Sequence, residues 1–287
     1  MKISLIVTSY NQPGFLRKAL LSANSQSLRP DEAVVADDGS SADIAGMLRT
    51  LAPSLAFPVR CVTHADRGFR AARTRNNGAR IAGGDFLVFA DQDIVFTKNY
   101  IKTFVDNARE KEFLVSWPVR LTSEQTDLVT DEMITVADFS GLITPEQWAG
   151  VKKQHRKDAF YRVLHRLRLR PIGPKLRSGV LALFKEDFMA VNGFDEMYKG
   201  WGNEDDDLGW RLYSYGAKGR NVTTIEVPVH LFHPTNSGGT RPNKEYYKKR
   251  IAEIRKGDYR CEYGMLSPLD DDRPVVLNLN GDFRKPA

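Results

Sequence analysis

The feature that most constrains this chain is the alternation of short apolar runs with helix signals over its first hundred residues. Residues 3–7, 33–36, 59–63 and 86–89 read as buried strands, because each is a brief, nearly unbroken apolar run. Between them, Pro13 suits the first turn of a helix over 13–25, with Asn11 or Gln12 near its cap. A short helix follows residue 41, with Ser40 and Ser41 as candidate caps. Residues 70–82 predict a helix stopped by Gly83 and Gly84, and another helix begins near Lys98. Strand–helix alternation implies an α/β fold: a mostly parallel, doubly wound, Rossmann-like central sheet flanked by helices, in one domain. Ligands of such sheets sit beyond the carboxyl ends of the strands. The polar clusters lie there: Thr8-Ser9-Tyr10, Asp37-Asp38 and Asp91-Gln92-Asp93.

The second half is less regular. Strands are expected at 114–119 and 180–184, a helix over 203–215 that Gly216 ends, an extended run over 224–232 and a helix over 246–256. The tail beyond Tyr263 is rich in Pro and Asp. A net charge of +6 points to anionic partners such as nucleotides, acidic glycans or a membrane surface. Two cysteines, Cys61 and Cys261, make no disulfide or metal framework, which fits a cytoplasmic setting. The run at 3–7 is too short for a secretion-signal core, and no segment is long and apolar enough to span a bilayer.

Four constellations carry chemistry. Asp91-Gln92-Asp93 ends a core strand, where carboxylates can hold a hard divalent cation together with diphosphate oxygens. Asp93 is the expected ligand and Asp91 the contact to sugar or ribose hydroxyls; a solvated acidic turn is the bland alternative. In Asp37-Asp38-Gly39-Ser40, Asp38 can accept a uracil imide N–H, or the segment is turn chemistry alone. Arg67, Arg70, Arg73 and Arg75 crowd a helix start, which suits phosphate, against the alternative of a solvated basic face. Glu204-Asp205-Asp206-Asp207 follows Gly200-Trp201-Gly202-Asn203. Acids there satisfy a helix dipole and Asn203 resembles an N-cap, but a carboxylate fixed at that place can also act as general base while Trp201 offers its face to a sugar ring. His230 and His233 are candidate structural residues or, for His233 at a strand end, a third metal ligand.

These residues carry a resemblance. Val7-Thr8-Ser9-Tyr10-Asn11, Asp37-Asp38-Gly39-Ser40, Arg75-Asn76-Asn77-Gly78-Ala79 and Asp91-Gln92-Asp93 resemble the family 2 glycosyltransferases of the GT-A fold. Asn192-Gly193-Phe194-Asp195 with Gly200-Trp201-Gly202-Asn203-Glu204-Asp205-Asp206-Asp207 resembles the C-terminal segment of β-1,4-galactosyltransferases and bacterial chondroitin-type polymerases. The resemblance implies an inverting hexosyl or N-acetylhexosaminyl transfer from a nucleotide sugar, commonly a UDP-sugar, to a glycan or lipid-linked glycan hydroxyl in polysaccharide biosynthesis. It implies Mn2+ or Mg2+ held by Asp93 and His233, and a donor nucleotide met by Thr8, Tyr10, Asn11, Asp38, Arg70, Arg75 and Asp91. Asp205 is then the base, Glu204 contacts a sugar, and Trp201 and Gly202 meet the acceptor. A catalytic domain over 1–240 is expected, with a nucleotide-sugar half at 1–110 and an acceptor half at 111–240, followed by a helix and tail at 241–287. Arg177-Ser178-Gly179-Val180 departs from the Gly-Gly-Asn-like sequence of many relatives and leaves the donor sugar open.

The basic stretch 152–177 lies outside the shared pattern. Phe160, Val163, Leu164 and Leu167 recur in it at helical spacing. Three readings compete: an anionic membrane surface or lipid-linked acceptor at the inner face of the cytoplasmic membrane, an acidic glycan, or a helix packed on the core with a solvated basic face. Two rival functions stand beside transfer. A nucleotidyltransferase would share the metal and the nucleotide but has no use for the Trp201-to-Asp205 segment. A nucleic-acid-binding domain lacks support, because the basic run carries few aromatics and no recognition motif.

Overall fold

In a computed structural model, the structure describes residues 1–223, 226–234, 242–269 and 273–279. The first half follows the expected alternation: β1 (Ile3–Ser9), α1 (Pro13–Asn24), β2 (Glu32–Asp37), α2 (Ile44–Leu51), β3 (Val59–Thr63), α3 (Ala71–Ile81), β4 (Phe86–Asp91), β5 (Ile94–Val95) and α4 (Tyr100–Asn107). Then come β6 (Glu112–Val115), β7 (Val119–Arg120), α5 (Ser123–Asp127), α6 (Asp131–Val136) and α7 (Pro145–Arg166). The chain continues through β8 (Val180–Phe184), α8 (Lys185–Ala190), α9 (Glu204–Tyr215), β9 (Lys218–Asn221), β10 (Val229–His230), α10 (Lys244–Ile254) and β11 (Val275–Asn278).

The large sheet has the order β11-β3-β2-β1-β4-β8-β6-β9. Strands β3, β2, β1 and β4 are parallel, whereas β8 runs antiparallel to both β4 and β6. Side chains alternate between its two faces, as the two-residue period of a strand requires. Leu5, Val7, Ala33, Val35 and Val88 enter one core with α1, α2 and α4. Ile6, Val34, Ala36, Leu87 and Phe89 enter another with α3, α8 and α9. Both faces are covered, which is why these strands read as unbroken apolar runs. Gly78 lets α3 lie close on the sheet, since a Cβ there would come within 2.6 Å of Ile6 Cγ2.

Register then fixes the site. Thr8 pairs with Asp91, and Ser9 with Asp37, so three strands deliver their polar ends to one edge. A second, three-stranded sheet, β5-β10-β7, sets His230 opposite both Ile94 and Arg120.

Several sequence expectations change. The strand expected at 114–119 is two strands, β6 and β7, in different sheets. Asp43 caps α2 through Gly46 N–H, while Ser40 bonds Asp37 and Ser41 bonds Asn11. Asn203 makes no side-chain cap on α9; its φ of 79° places it in the left-handed region instead. Within the expected run at 224–232, residues 229–230 pair as a strand, and 224–225 lie outside the described residues. In the tail, β11 joins the sheet edge against β3; 270–272 and 280–287 lie outside the described residues.

The segment after α10 clasps the core around Asn192. Asn192 Nδ2 donates to Cys261 O, Glu262 O and Ser267 Oγ, and its Oδ1 accepts from Leu266 N. Met265 N donates to Asn192 O, and a Cβ on Gly264 would come within 2.0 Å of that same oxygen. Among the described residues, no helix is long and apolar enough to cross a membrane.

Candidate active site

Asp93 follows β4 and is almost buried. β10 is brought beside it by pairing with β5, and Leu231 N donates to Asp93 O at 2.9 Å. His233 Nε2 lies 2.6 Å, and His230 Nε2 3.3 Å, from Asp93 Oδ2. The ligand atoms of these three residues fall within 4.8 Å of one another. Asp93 Oδ1 is buried with no hydrogen-bond partner. A buried carboxylate oxygen with no donor is costly, and a cation would satisfy it. The set fits a divalent metal, and it includes both histidines rather than His233 alone. Burial pulls the His230 pKa down, whereas the bond to Asp93 pushes that of His233 up.

Asp91 is committed differently. Its Oδ1 accepts from Thr8 Oγ1 at 2.7 Å and from Arg75 Nη2 at 2.9 Å, and the side chain is 39% exposed. Gly179 at the head of β8 presses on it: a Cβ there would stand 2.4 Å from Asp91 Oδ2. Burial raises the Asp91 pKa, but Arg75 and Thr8 outweigh burial and hold it below the ordinary carboxylate range.

Arg75 joins the two halves of the site. Its other arm lies 3.5 Å from Glu204 Oε1, at the first turn of α9. The four acids of that turn separate because each successive residue points about 100° further round the helix. Glu204 is buried against Arg75. Asp205 lies beside Ser178, which favours its charged form, and its Oδ1 is buried without a partner. Asp206 reaches Lys175 at 3.1 Å on the surface. Asp207 is fully buried and pairs with the equally buried Arg211 at 2.5 Å, so it belongs to the core. Burial, with the charge of Asp205, pushes Glu204 up to about 7. Burial also raises Asp205, against the pull of Arg75.

The remaining expected residues line or brace this edge. Asp38 is buried and saturated on three sides, by His64 Nε2 and Thr74 Oγ1 at 2.8 Å and by Arg70 N at 2.9 Å. A carboxylate has about four acceptor positions, which leaves room for one more donor. Tyr10 is exposed and its hydroxyl donates to Asp66. Asn11 accepts from Ser41 and Ala42, and so braces the loop. Trp201 is 59% exposed on the turn before α9, where Gly200 and Gly202 have φ of 74° and 100°. Of the basic cluster, Arg67 is exposed, whereas Arg70, Arg73 and Arg75 are buried rather than on a solvated face, and Arg73 pairs with buried Glu196 at 2.9 Å. Reading the sequence missed His64, which ties Asp38 to Asn77, and Gln92, whose side chain clamps Ser9 and Tyr10. It also missed the part played by Ser178. Only Gln92 had a signal, its place between two functional acids.

Known proteins share the sequence pattern and the fold of this chain. A family model described as Glycosyl transferase family 2 matches residues 4–167, and one described as the N-terminal domain of galactosyltransferase matches 158–234. The hyaluronan synthase of Pasteurella multocida is 26% identical over 280 residues, covering 94% of this chain and 28% of that protein. The chain spans between 28% and 61% of the length of four curated relatives that it matches. The fold is shared with S. aureus TarS 1-349 in complex with UDP-GlcNAc, at a TM-score of 0.61 and 16% identity over 93% of this chain and 69% of that one. It is shared too with a Pyrobaculum calidifontis mannosyltransferase in complex with GDP-Man and Mn2+, at 0.57 and 17% over 89% and 64%. The expected GT-A fold is the one observed.

Proposed function

The chain belongs to glycosyl transferase family 2, and we propose that it moves a sugar, with inversion, from a UDP-sugar to a hydroxyl of a glycan or lipid-linked glycan. The observation that carries this reading is the Arg75 bridge, which ties the strand-end carboxylate Asp91 to the Glu204–Asp205 turn. One edge of the sheet thereby holds a candidate metal set, a candidate base and an exposed indole.

In this reading Tyr10 and the free acceptor position of Asp38 receive the uracil, with Thr8 and Asn11 shaping the loop around it. Arg70 braces that loop through its contact with Ala65 O. Asp93, His230 and His233 would hold a divalent cation, which supplies positive charge against the departing diphosphate. Two imidazoles and one carboxylate suit manganese better than magnesium, which prefers an all-oxygen shell. Trp201 and the open turn at Gly202 receive the acceptor sugar. Asp205 takes the proton from the acceptor hydroxyl through its partnerless Oδ1, as the oxygen attacks the anomeric carbon. The position of Asp205 in the first turn of α9, beside Ser178, holds the carboxylate in place.

The test is an incubation with UDP-sugars and oligosaccharide acceptors, with manganese and then with chelator. Release of UDP with a product of inverted anomeric configuration, lost on chelation, supports the reading. Release of pyrophosphate would assign nucleotidyl transfer instead, and a retained configuration would remove Asp205 as base.

A further inference from the structure

The outward face of α7 takes no part in that chemistry. Helix α7 begins with a capping box between Thr144 and Gln147 and stops at Arg166, short of the expected end of the basic stretch. At 3.6 residues per turn, positions 153, 156, 157, 160, 163 and 167 fall on one stripe, and 151 and 158 on the opposite side. Val151 and Asp158 are the residues of α7 that are buried. Asp158 accepts from Gln154 at 2.9 Å and from Asn221 at 2.7 Å, and Arg162 meets Glu112 at 3.0 Å. The helix thus docks through Trp148 and Val151 in an apolar cluster near its start and through polar contacts further on, while Phe160, Val163 and Leu167 face out. Phe160, Val163 and Leu167 are 59%, 51% and 62% exposed, and Leu169, just beyond the helix, 70%. The expected alternative of a helix packed on the core with a solvated basic face holds for the docking side and the exposed cations, but it leaves the outward apolar side chains without a partner. Large apolar side chains grouped in water forgo the transfer free energy that burial would give them, and such a patch marks an interaction surface.

We propose that this face lies on an anionic lipid bilayer, with α7 in the plane of the interface. Phe160, Val163, Leu167 and Leu169 enter the acyl boundary, and the flanking Lys and Arg meet lipid phosphates. Charge and apolarity on this face complement such a bilayer together. Residues 152–170 carry eight Lys and Arg and one acid, Asp158, whose charge is turned inward. Lys153, Arg156 and Lys157 share the outward stripe with the apolar group and are exposed. At the C-terminal end, His165, Arg168, Leu169, Arg170 and Pro171 border a shallow, open depression whose arginines can meet a headgroup phosphate. A soluble acidic glycan would answer the cations and leave four apolar side chains in water. An apolar protein surface would answer those side chains and leave the cations against it. An anionic bilayer answers both at once.

The proposal is independent of the transfer reaction, so its test uses binding alone. The full chain is floated with vesicles of phosphatidylcholine, with and without phosphatidylglycerol. Binding about tenfold stronger to the anionic vesicles, and weakened by salt, is expected. The joint replacement Phe160→Ser, Val163→Ser, Leu167→Ser should lower it about tenfold or more. The joint replacement Lys153→Glu, Arg156→Glu, Lys157→Glu should remove the preference for anionic lipid. All six side chains are exposed, so an unchanged circular dichroism melt verifies the fold of both variants. Equal partitioning to both vesicle types, or binding unmoved by the serine variant, would overturn the proposal. So would a dimer in sedimentation that the serine variant abolishes, which would give the face to a second copy. Capture by an acidic polysaccharide without any vesicle binding would give it to a glycan.

Discussion

Replacing Arg75 with methionine removes the counter-charge of three acids at once. The guanidinium is buried, 2.9 Å from Asp91 and 3.5 Å from Glu204, with Asp205 in its field. At an effective dielectric near 20, a unit pair about 4 Å apart is worth about 4 kcal/mol. Desolvation of the cation offsets much of this, and removing one partner of a buried pair costs about 3–5 kcal/mol net. The solvent reaching Asp91 screens that arm and places the expected loss at the lower end, about 3 kcal/mol. The loss should depend on pH in a definite sense. Glu204 is pushed up from 4.5 to about 7, so the folded chain holds a proton there that the unfolded chain releases. Stability from this group is therefore greatest below about 4.5 and declines as pH rises toward about 7. Without Arg75 all three pKa values move higher, so methionine should destabilise more at pH 8 than at pH 5. The acid limb of kcat/KM should also move up by about one unit or more, because the base stays protonated longer. Urea unfolding at the two pH values and a pH–rate profile measure both effects. A loss below about 1 kcal/mol, equal at the two pH values and with the acid limb unmoved, would show that the carboxylates do not share one field. If methionine prevents folding, Arg75→Lys decides: it keeps the charge and loses the two-armed reach, so the acid limb should stay while kcat falls.

Three further outcomes are expected. Asp205→Asn should lower kcat about 10²–10⁴-fold with UDP binding and melting temperature near wild type; near-normal turnover would move the base elsewhere. His233→Ala and His230→Ala should each weaken manganese binding by about tenfold or more, read by titration calorimetry without substrate, and acid should weaken it in wild type because imidazole ligands must lose their protons. Affinity unchanged in both variants would remove the metal centre. Trp201→Ala should raise the acceptor KM about tenfold with little change in kcat, and should spare stability because the indole is mostly exposed; a change confined to the donor KM would contradict its placement.

The first half of the fold was legible because each parallel strand is buried on both faces and so appears as an apolar run with a polar end. The direction of β8 was not, because residues 180–184 look the same whichever way they enter the sheet. β5 and β10 contribute two residues each, too few for any periodicity, yet their pairing brings His230 beside Asp93 and turns two distant motifs into one cluster. The run at 204–207 was visible, but its division into a bridging acid, a partnerless acid, a surface acid and a core acid needed the helix phase and the positions of Arg75 and Arg211. Phe160, Val163 and Leu167 had the spacing of a core stripe, and sequence alone does not say which side of a helix meets the sheet. Asp158 settles it, through its bond to Asn221 on β9.

The clasp on Asn192 has a practical consequence for anyone who recombines this chain. Arg80 of α3 donates to Met265 O and Gly264 O, while Arg250 of α10 lies 3.7 Å from Asp195 and 4.0 Å from Asp207. Material far downstream therefore buttresses the helix that carries Asp205. A fragment cut before α10 would uncap that buttress, and a swap of the tail between homologues has to carry residues 261–267 along with the Asn192 turn they embrace.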